Sequence, residues 1–524
     1  MEHITASVGG VLRCDQLAEV NATAAVHRFA RVGVRDDARP TQPRSIVPEP
    51  TAASSPRVFS DDFVWGSATA SYQIEGGAAE GGRTPSIWDT FSHTPGKVEG
   101  GDTGDVAIDH FHRWRDDVET ITEMGLDAYR FSISWSRVQP GGSGAFNEEG
   151  IRFYSDLLDA LVAAGVKPVA TLYHWDLPQE LEDEGGWANR NTSYAFAEYA
   201  ARMAAEFGDR VHTWSTLNEP FCTAYLGYAS GVHAPGRTEP AAALAACHHL
   251  NLAHGLATRA IRTAVGEDAV VSVTLNFHVI RPDDPESAAD RDAVRQIDAL
   301  ANRVFLGPML SGHYDEDLIH DTRHVTDWSF VLPGDTQLIH QRIDVLGVNY
   351  YTTFRVKKYL GTGERSRNDG HGESAASPWV GVTDIDFVDQ GAPYTSMGWS
   401  IFPDGLTELL VSLSERYPGQ ALMVTENGAA FPDVVSEDGL VHDPERVAYY
   451  RDHIAAIADA IDAGADVRGY FAWSLFDNFE WAFGYNMRFG ILRVDYDTLE
   501  RTWKDSGRWY QQLIATRTLP GAGA

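Results

Sequence analysis

LDAYRFSIS (126–134), a helical stretch at 147–164 and VKPVATLYHW (166–175) make up one unit of a pattern that runs through the chain. The short runs are rich in β-branched and aromatic residues. Between them, Ile151, Tyr154, Leu158 and Leu161 recur every three to four positions and fall on one face of a helix. Working outward, FVWGSAT (63–69), VHTWSTLNEP (211–220), AVVSVTLNF (269–277), IDVLGVNYY (343–351), ALMVTENG (421–428) and VRGYFAWSL (467–475) read as further strands. Helical patterns cover about 105–124, 191–207, an Ala-rich stretch to about 265, 286–306, 403–416, 444–463 and a segment starting near Lys504. Strands alternating with helices imply a parallel sheet. Eight such units close naturally into a (β/α)8 barrel. The alternative is an open doubly wound sheet, whose nucleotide-binding form needs a G-x-G-x-x-G turn after an early strand. Here ASYQIEGGAAEGG follows the first strand and lacks that spacing. The expected fold is a single α/β (β/α)8 TIM barrel with long loops on its catalytic face. Residues 355–398, with Gly, Ser and Asp clusters, are expected as a mobile insertion in that rim.

Residues 1–57 differ, with scattered Arg, Ala, Pro and Ser and few aromatics; they read as a disordered extension ahead of a barrel domain at 58–524. The full 524 residues are 43% hydrophobic and 22% charged, as in ordinary globular proteins. With 42 basic against 74 acidic residues the net charge is -32, which disfavours nucleic acid and anionic lipid as partners. No run of about 18 apolar residues suggests a membrane span. The opening MEHITASVGGVLRCDQLAEV lacks a basic start followed by an apolar block, so a cytoplasmic location is expected. Cys14, Cys222 and Cys247 are too few and too scattered for a disulfide framework or a zinc site. The pair His248–His249 with His254 reads as helix packing, Cys222 as a buried packing residue, and Asp116 with Asp117 as a solvated helix face. No metal and no cofactor are expected.

Two carboxylates stand out by position. Glu219 ends the fourth strand in TLNEP, and Glu426 ends the seventh in VTENG. Strands four and seven face each other across a barrel, so both acids should point into its mouth. A single Glu at a strand–loop junction is usually a cap or an ion-pair partner. Two at matched positions suit paired acid/base or acid/nucleophile work. The strand ends and loops also supply Gln73, His174, Trp175, Asn218, Asn349, Trp473, Glu480 and Trp481. A pyranose ring carries hydroxyls on its rim and C–H groups on its faces. It therefore calls for amide and carboxylate partners over an aromatic floor.

From about 59 to 517 the sequence resembles glycoside hydrolase family 1, of the β-glucosidase type. The resemblance rests on FVWGSATASYQIEGG, YRFSISWSR, YHWDLPQEL, TLNEP, GVNYYT, MGWSIFPDGL, TENG, WSLFDNFEW, RFGILRVDY and KDSGRWY, in that order. It implies a β-glucoside as small-molecule substrate, with Glu219 as general acid/base and Glu426 as nucleophile. Gln73, His174, Asn218 and Glu480 match residues that hydrogen-bond the terminal sugar. Trp473 and Trp481 match its aromatic and indole contacts, and Trp399 a platform for the leaving group. Arg130 and Tyr351 match partners of the nucleophile, and Asn349 lies on the same strand end.

These roles make physical demands. A guanidinium at Arg130 and a phenol at Tyr351 would keep the nucleophile ionised. Burial and the charge of Glu426 would hold a proton on Glu219. Retention requires carboxyl groups about 5–5.5 Å apart. Other readings remain. A 6-phospho-β-glycosidase calls for a small residue at position 480 and a Lys soon after; Glu480 would repel phosphate, and Arg488 is the nearby cation. A thioglucosidase carries Gln in place of the acid. A sugar-binding barrel without activity lacks one of the two acids.

Overall fold

The structure, a computed structural model, describes residues 56–362, 370 and 372–521. The apolar runs form eight strands: β1 (Val64–Ala68), β2 (Ala128–Ser132), β3 (Lys167–Thr171), β4 (Thr213–Asn218), β5 (Val271–Asn276), β6 (Val345–Asn349), β7 (Leu422–Asn427) and β8 (Val467–Trp473). They pair in parallel and in chain order, and β8 closes onto β1 with Gly469 opposite Val64. Helices cover such a sheet outside and side chains fill it inside, so its strands are buried on both faces. β2, β4 and β7 are buried along their whole length.

The long helices are α1 (His110–Met124), α2 (Glu148–Ala163), α3 (Asn191–Phe207), α4 (Pro240–Val265), α5 (Ala288–Asp298), α6 (Pro403–Arg416), α7 (Pro444–Asp462) and α8 (Asp505–Thr516). α2 shows how they are specified. The Asn147 side chain accepts the Glu149 N–H at 3.2 Å, and Glu148 and Glu149 sit at the positive end of the helix dipole. The predicted stripe of Ile151, Tyr154, Leu158 and Leu161 is buried.

Three readings of the sequence need correction. The first long helix starts at His110, not near 105, because Asp109 takes a left-handed backbone (φ 58°) that ends the preceding turns. Asp116 is exposed, but Asp117 is buried: it meets His110 Nδ1 at 2.8 Å and accepts Arg501 Nε at 2.9 Å. The 355–398 insertion is not all loop: strands run at its start and again at Ile385–Val388. Thr353–Lys358 pairs antiparallel with Ile385–Val388 and parallel with Val279–Pro282, and Val356, Ile385 and Phe387 enter the core. Positions 363–369 and 371 of that insertion lie outside the described residues. So does the expected extension through residue 55; Arg57–Val58 pairs with Thr518–Leu519.

The long loop after β8 is held by buried charges. Asp477 accepts Lys504 Nζ at 2.7 Å, Arg488 at 2.6 Å and the Gly490 N–H at 3.0 Å. Lys504 also pairs with Asp433, and Arg446 with Asp433 and Asp443. Burial disfavours the charge on Asp477, but Lys504 and Arg488 outweigh it and hold the carboxyl below its usual range. These side chains tie the loops after β7 and β8 to the starts of α7 and α8. Removing one partner from such a set leaves the others charged and unpaired. Lys504→Met is therefore expected to lower unfolding stability by about 3–5 kcal/mol. Denaturant titration measures this, and an unchanged midpoint would show that the network does not hold the fold.

Candidate active site

The C-terminal ends of the barrel strands converge on a cavity of about 890 Å³, its open mouth included. His174, Glu219, Asn349, Glu426, Trp473 and Glu480 are among the residues lining it. Tyr351, Trp399 and Trp481 line it too. Arg130, Gln73 and Asn218 are fully buried and bond to, or sit beside, these groups. These twelve residues are thus brought together, and Trp175, also expected from the sequence, lines the cavity with them.

Each is placed by its strand end. β6 and β7 pair with Asn349 opposite Glu426. Beyond Glu426, Gly428 passes so close to β8 that an added Cβ would lie 1.7 Å from the Trp473 carbonyl oxygen, and only glycine fits. Glu219 follows β4 in a left-handed backbone conformation (φ 46°), which turns its side chain away from the strand direction. Trp175 and Trp481 also have positive φ, and their rings meet with centroids 4.5 Å apart.

The two acids differ in their partners. Arg130 donates to Glu426 Oε1 at 2.5 Å and to Asn218 Oδ1 at 2.7 Å. The Tyr351 hydroxyl donates to Glu426 Oε2 at 2.8 Å. Glu219 Oε1 accepts Asn349 Nδ2 at 2.7 Å. The Thr425 hydroxyl donates to Asn349 Oδ1 at 2.8 Å, which fixes the orientation of that amide. A charged guanidinium therefore touches Glu426, whereas Glu219 has only neutral donors. Burial raises the pKa of both. For Glu426, Arg130 and Tyr351 oppose it. Glu219 is pushed up to about 8 by burial and then by the charge of Glu426. The shared proton belongs on Glu219 and the negative charge on Glu426.

The remaining polar groups offer hydrogen bonds. Asn218 Nδ2 donates to His174 Nε2 at 3.0 Å, so the ring proton sits on Nδ1. Burial, then Arg130, keep this imidazole neutral, well below its ordinary pKa. Gln73 Nε2 donates to Asn478 Oδ1 at 3.0 Å and to the Phe479 carbonyl at 2.8 Å. Gln73 Oε1 and His174 Nδ1 have no hydrogen-bond partner among the described residues. Burial, then the charges of Glu426 and Glu219, push Glu480 up to about 8. Trp399 packs 5.3 Å from the Tyr351 ring and donates to the Gly370 carbonyl at 2.9 Å. Arg488 is engaged by Asp477 and the Val494 carbonyl.

Two further neighbours of the acid had no clear sign in the sequence. Cys222 lies with Sγ 3.3 Å from Glu219 Oε2, and Asn276 Nδ2 is 3.7 Å from that sulfur. Elsewhere, His248 contacts Asp335 and Tyr314, His249 the Trp187 carbonyl, and His254 Thr216, all as buried packing partners on α4. Among the described residues, no group of three or more His, Cys, Asp or Glu is arranged to hold a metal ion. Among them, too, no helix is long and apolar enough to cross a membrane.

Known proteins share this arrangement's frame. The family model for glycosyl hydrolase family 1 matches residues 55–519. A bifunctional β-D-glucosidase/β-D-fucosidase of Bifidobacterium breve is 51% identical over 466 residues, 87% of this chain and 98% of that one. The structure of a psychrophilic β-glucosidase from Micrococcus antarcticus superposes with a TM-score of 0.84 at 47% identity, over 88% of this chain and 98% of that one. A family 1 β-glucosidase from Thermotoga maritima superposes with a TM-score of 0.82 at 43% identity, over 89% and 100%. With a match that spans every barrel strand, the chain belongs to glycosyl hydrolase family 1.

Proposed function

We propose that the protein is a retaining β-glucosidase of carbohydrate breakdown. It removes terminal non-reducing β-D-glucosyl residues from cellobiose, short cello-oligosaccharides and aryl β-glucosides. The observation that carries this reading is the unequal pair of acids in one cavity, with Arg130 on Glu426 alone.

The ionised Glu426 attacks the anomeric carbon while Glu219 gives its proton to the glycosidic oxygen. The C–O bond breaks, the aglycone leaves as an alcohol, and the sugar is held as an ester of Glu426. Loss of the Glu426 charge then removes part of what kept Glu219 protonated. Glu219, now a carboxylate, takes a proton from water, and that water displaces Glu426 from the sugar. Two inversions give net retention. Asn218 has a second Nδ2 hydrogen for the sugar 2-hydroxyl, a contact that strengthens in the transition state. Gln73 Oε1, His174 Nδ1–H and Glu480 serve the other hydroxyls over the floor of Trp473 and Trp481. Trp399 stands at the leaving-group side.

Gln73 and Glu480 reach an equatorial or an axial 4-hydroxyl alike, which supports side activity on β-galactosides and β-fucosides. Phosphate on the 6-hydroxyl would meet Glu480 and an Arg488 already bound to Asp477. The described cysteines, Cys222 and Cys247, are buried thiols, which supports a cytoplasmic setting.

A panel of aryl β-glycosides compared by kcat/KM tests the substrate. The glucoside is expected to turn over and the 6-phosphoglucoside to be silent; the reverse would overturn the assignment. Glu426→Ala should abolish turnover and regain some rate with added azide, giving the inverted product. Glu219→Gln should spare aryl glucosides with good leaving groups far more than cellobiose. Equal losses on both would remove Glu219 from the acid role. The profile of kcat/KM against pH should be a bell. Its alkaline side falls as pH rises through the Glu219 pKa of about 8, where the acid loses its proton. On the acid side the rate falls as Glu426 is protonated. Tyr351→Phe deletes a bond to the charged form, so it should move that limb to higher pH by about one unit. A limb that stays in place would contradict the pairing.

A further inference from the structure

The two carboxyl oxygens of Glu219 meet different neighbours. Oε1 accepts Asn349 Nδ2 at 2.7 Å. Oε2 lies 3.3 Å from Sγ of Cys222, whose thiol donates to it. The sulfur in turn accepts Asn276 Nδ2, at the end of β5, at 3.7 Å. This contact follows from the local backbone. Glu219 is left-handed, the Cys222 N–H donates to the Glu219 carbonyl at 3.0 Å, and a π-helical segment runs over Cys222–Ser230. The turn brings the side chain of residue 222 back onto the acid. Glu219, Cys222 and Asn276 all line the cavity. Packing accounts for the burial of Cys222, but not for a donor aimed at a carboxyl oxygen and an amide aimed at its sulfur.

An amide N–H held at 2.7 Å makes Oε1 the carbonyl-type oxygen of the protonated acid and leaves the proton to Oε2. We propose that Cys222, steered by Asn276, is a positioning residue for proton transfer: it gives Oε2 a hydrogen bond too weak to compete with the amide bond on Oε1, and so leaves Oε2 as the proton-bearing oxygen. This rests on the reading of Glu219 as acid/base. A thiol is a weak donor and a weak acceptor. A hydroxyl at the same place would bond the carboxylate more strongly and favour its ionised form. The acid would then lose its proton at lower pH. Burial, then the nearby charge of Glu219, push the Cys222 thiol well above its ordinary range, so the S–H persists wherever the enzyme works. The other ionisable groups that face Glu219 are Glu426 on β7, Arg130 on β2, Tyr351 after β6 and Glu480 in the loop after β8, with His174 reached through Asn218.

The test is the alkaline limb of kcat/KM on an aryl β-glucoside for the full chain and three variants. Cys222→Ser should move the limb down by roughly half to one pH unit. Cys222→Ala should move it up by more than about 0.2 unit, because a donor to the anion is lost. Asn276→Ala should shift it in the same direction as Cys222→Ala and add nothing in the Cys222→Ala background. If Cys222→Ser fails to fold, the Ala variants and their non-additivity decide the matter. Limbs that stay within about 0.2 unit of the parent while kcat/KM falls would make Cys222 a packing residue and overturn the proposal. A parent enzyme silent on the glucoside is a different result, and it would sink the acid/base reading itself.

Discussion

Two carboxylic acids buried in one cavity cannot both be charged at neutral pH, and everything around Glu219 and Glu426 serves to make their contest unequal. The deciding contact is the Arg130 guanidinium on Glu426. It comes from β2, is fully buried, and spends its other terminal nitrogen on Asn218, the residue before the acid. One cation thus favours a negative charge on Glu426 and holds the Asn218 side chain beside Glu219. Asn349 completes the link, since it lies opposite Glu426 in the sheet and donates to Glu219. A pair set in this way needs no motion to be ready for proton transfer.

The barrel makes such contacts affordable. Arg130, Asn218, Asn349 and Glu426 belong to β2, β4, β6 and β7, which come within reach only because the sheet closes. The loop after β8, which lines the cavity with Glu480 and Trp481, has no such rigid frame of its own. It borrows one from Asp477, Lys504, Asp433 and Arg446, an internal lattice of charge that connects it to two helix starts. Loops on barrel folds carry specificity, and here buried ions give that loop the stiffness its position requires.

Much of this was legible in the sequence. Strand ends are marked by a change from apolar runs to Glu, Asn, His or Trp, so Glu219, Glu426, His174 and Asn349 could be placed by topology alone. The roles of Gln73, Glu480 and Trp399 came from resemblance, because loop residues carry no periodicity. The rest depends on distant partners or on backbone conformation, which residue patterns do not carry. Asp117 looks like its solvated neighbour Asp116 until Arg501 arrives from the far end of the chain. The pairing of Thr353–Lys358 with Ile385–Val388 was hidden by the Gly- and Ser-rich text between them. The contact of Cys222 with Glu219 depends on a left-handed turn at a Glu, a conformation that no pattern of residue types announces.

The most direct measurement is an NMR titration of carbon-labelled glutamate side chains, before and after a 2-fluoro-glucoside has trapped the sugar on Glu426. Glu219 should titrate near 8 in the free enzyme. It should fall by more than one unit once the Glu426 charge is gone, because that charge helps hold the proton. A Glu219 pKa that does not move on trapping, or a label showing that Glu219 itself carries the sugar, would contradict the account.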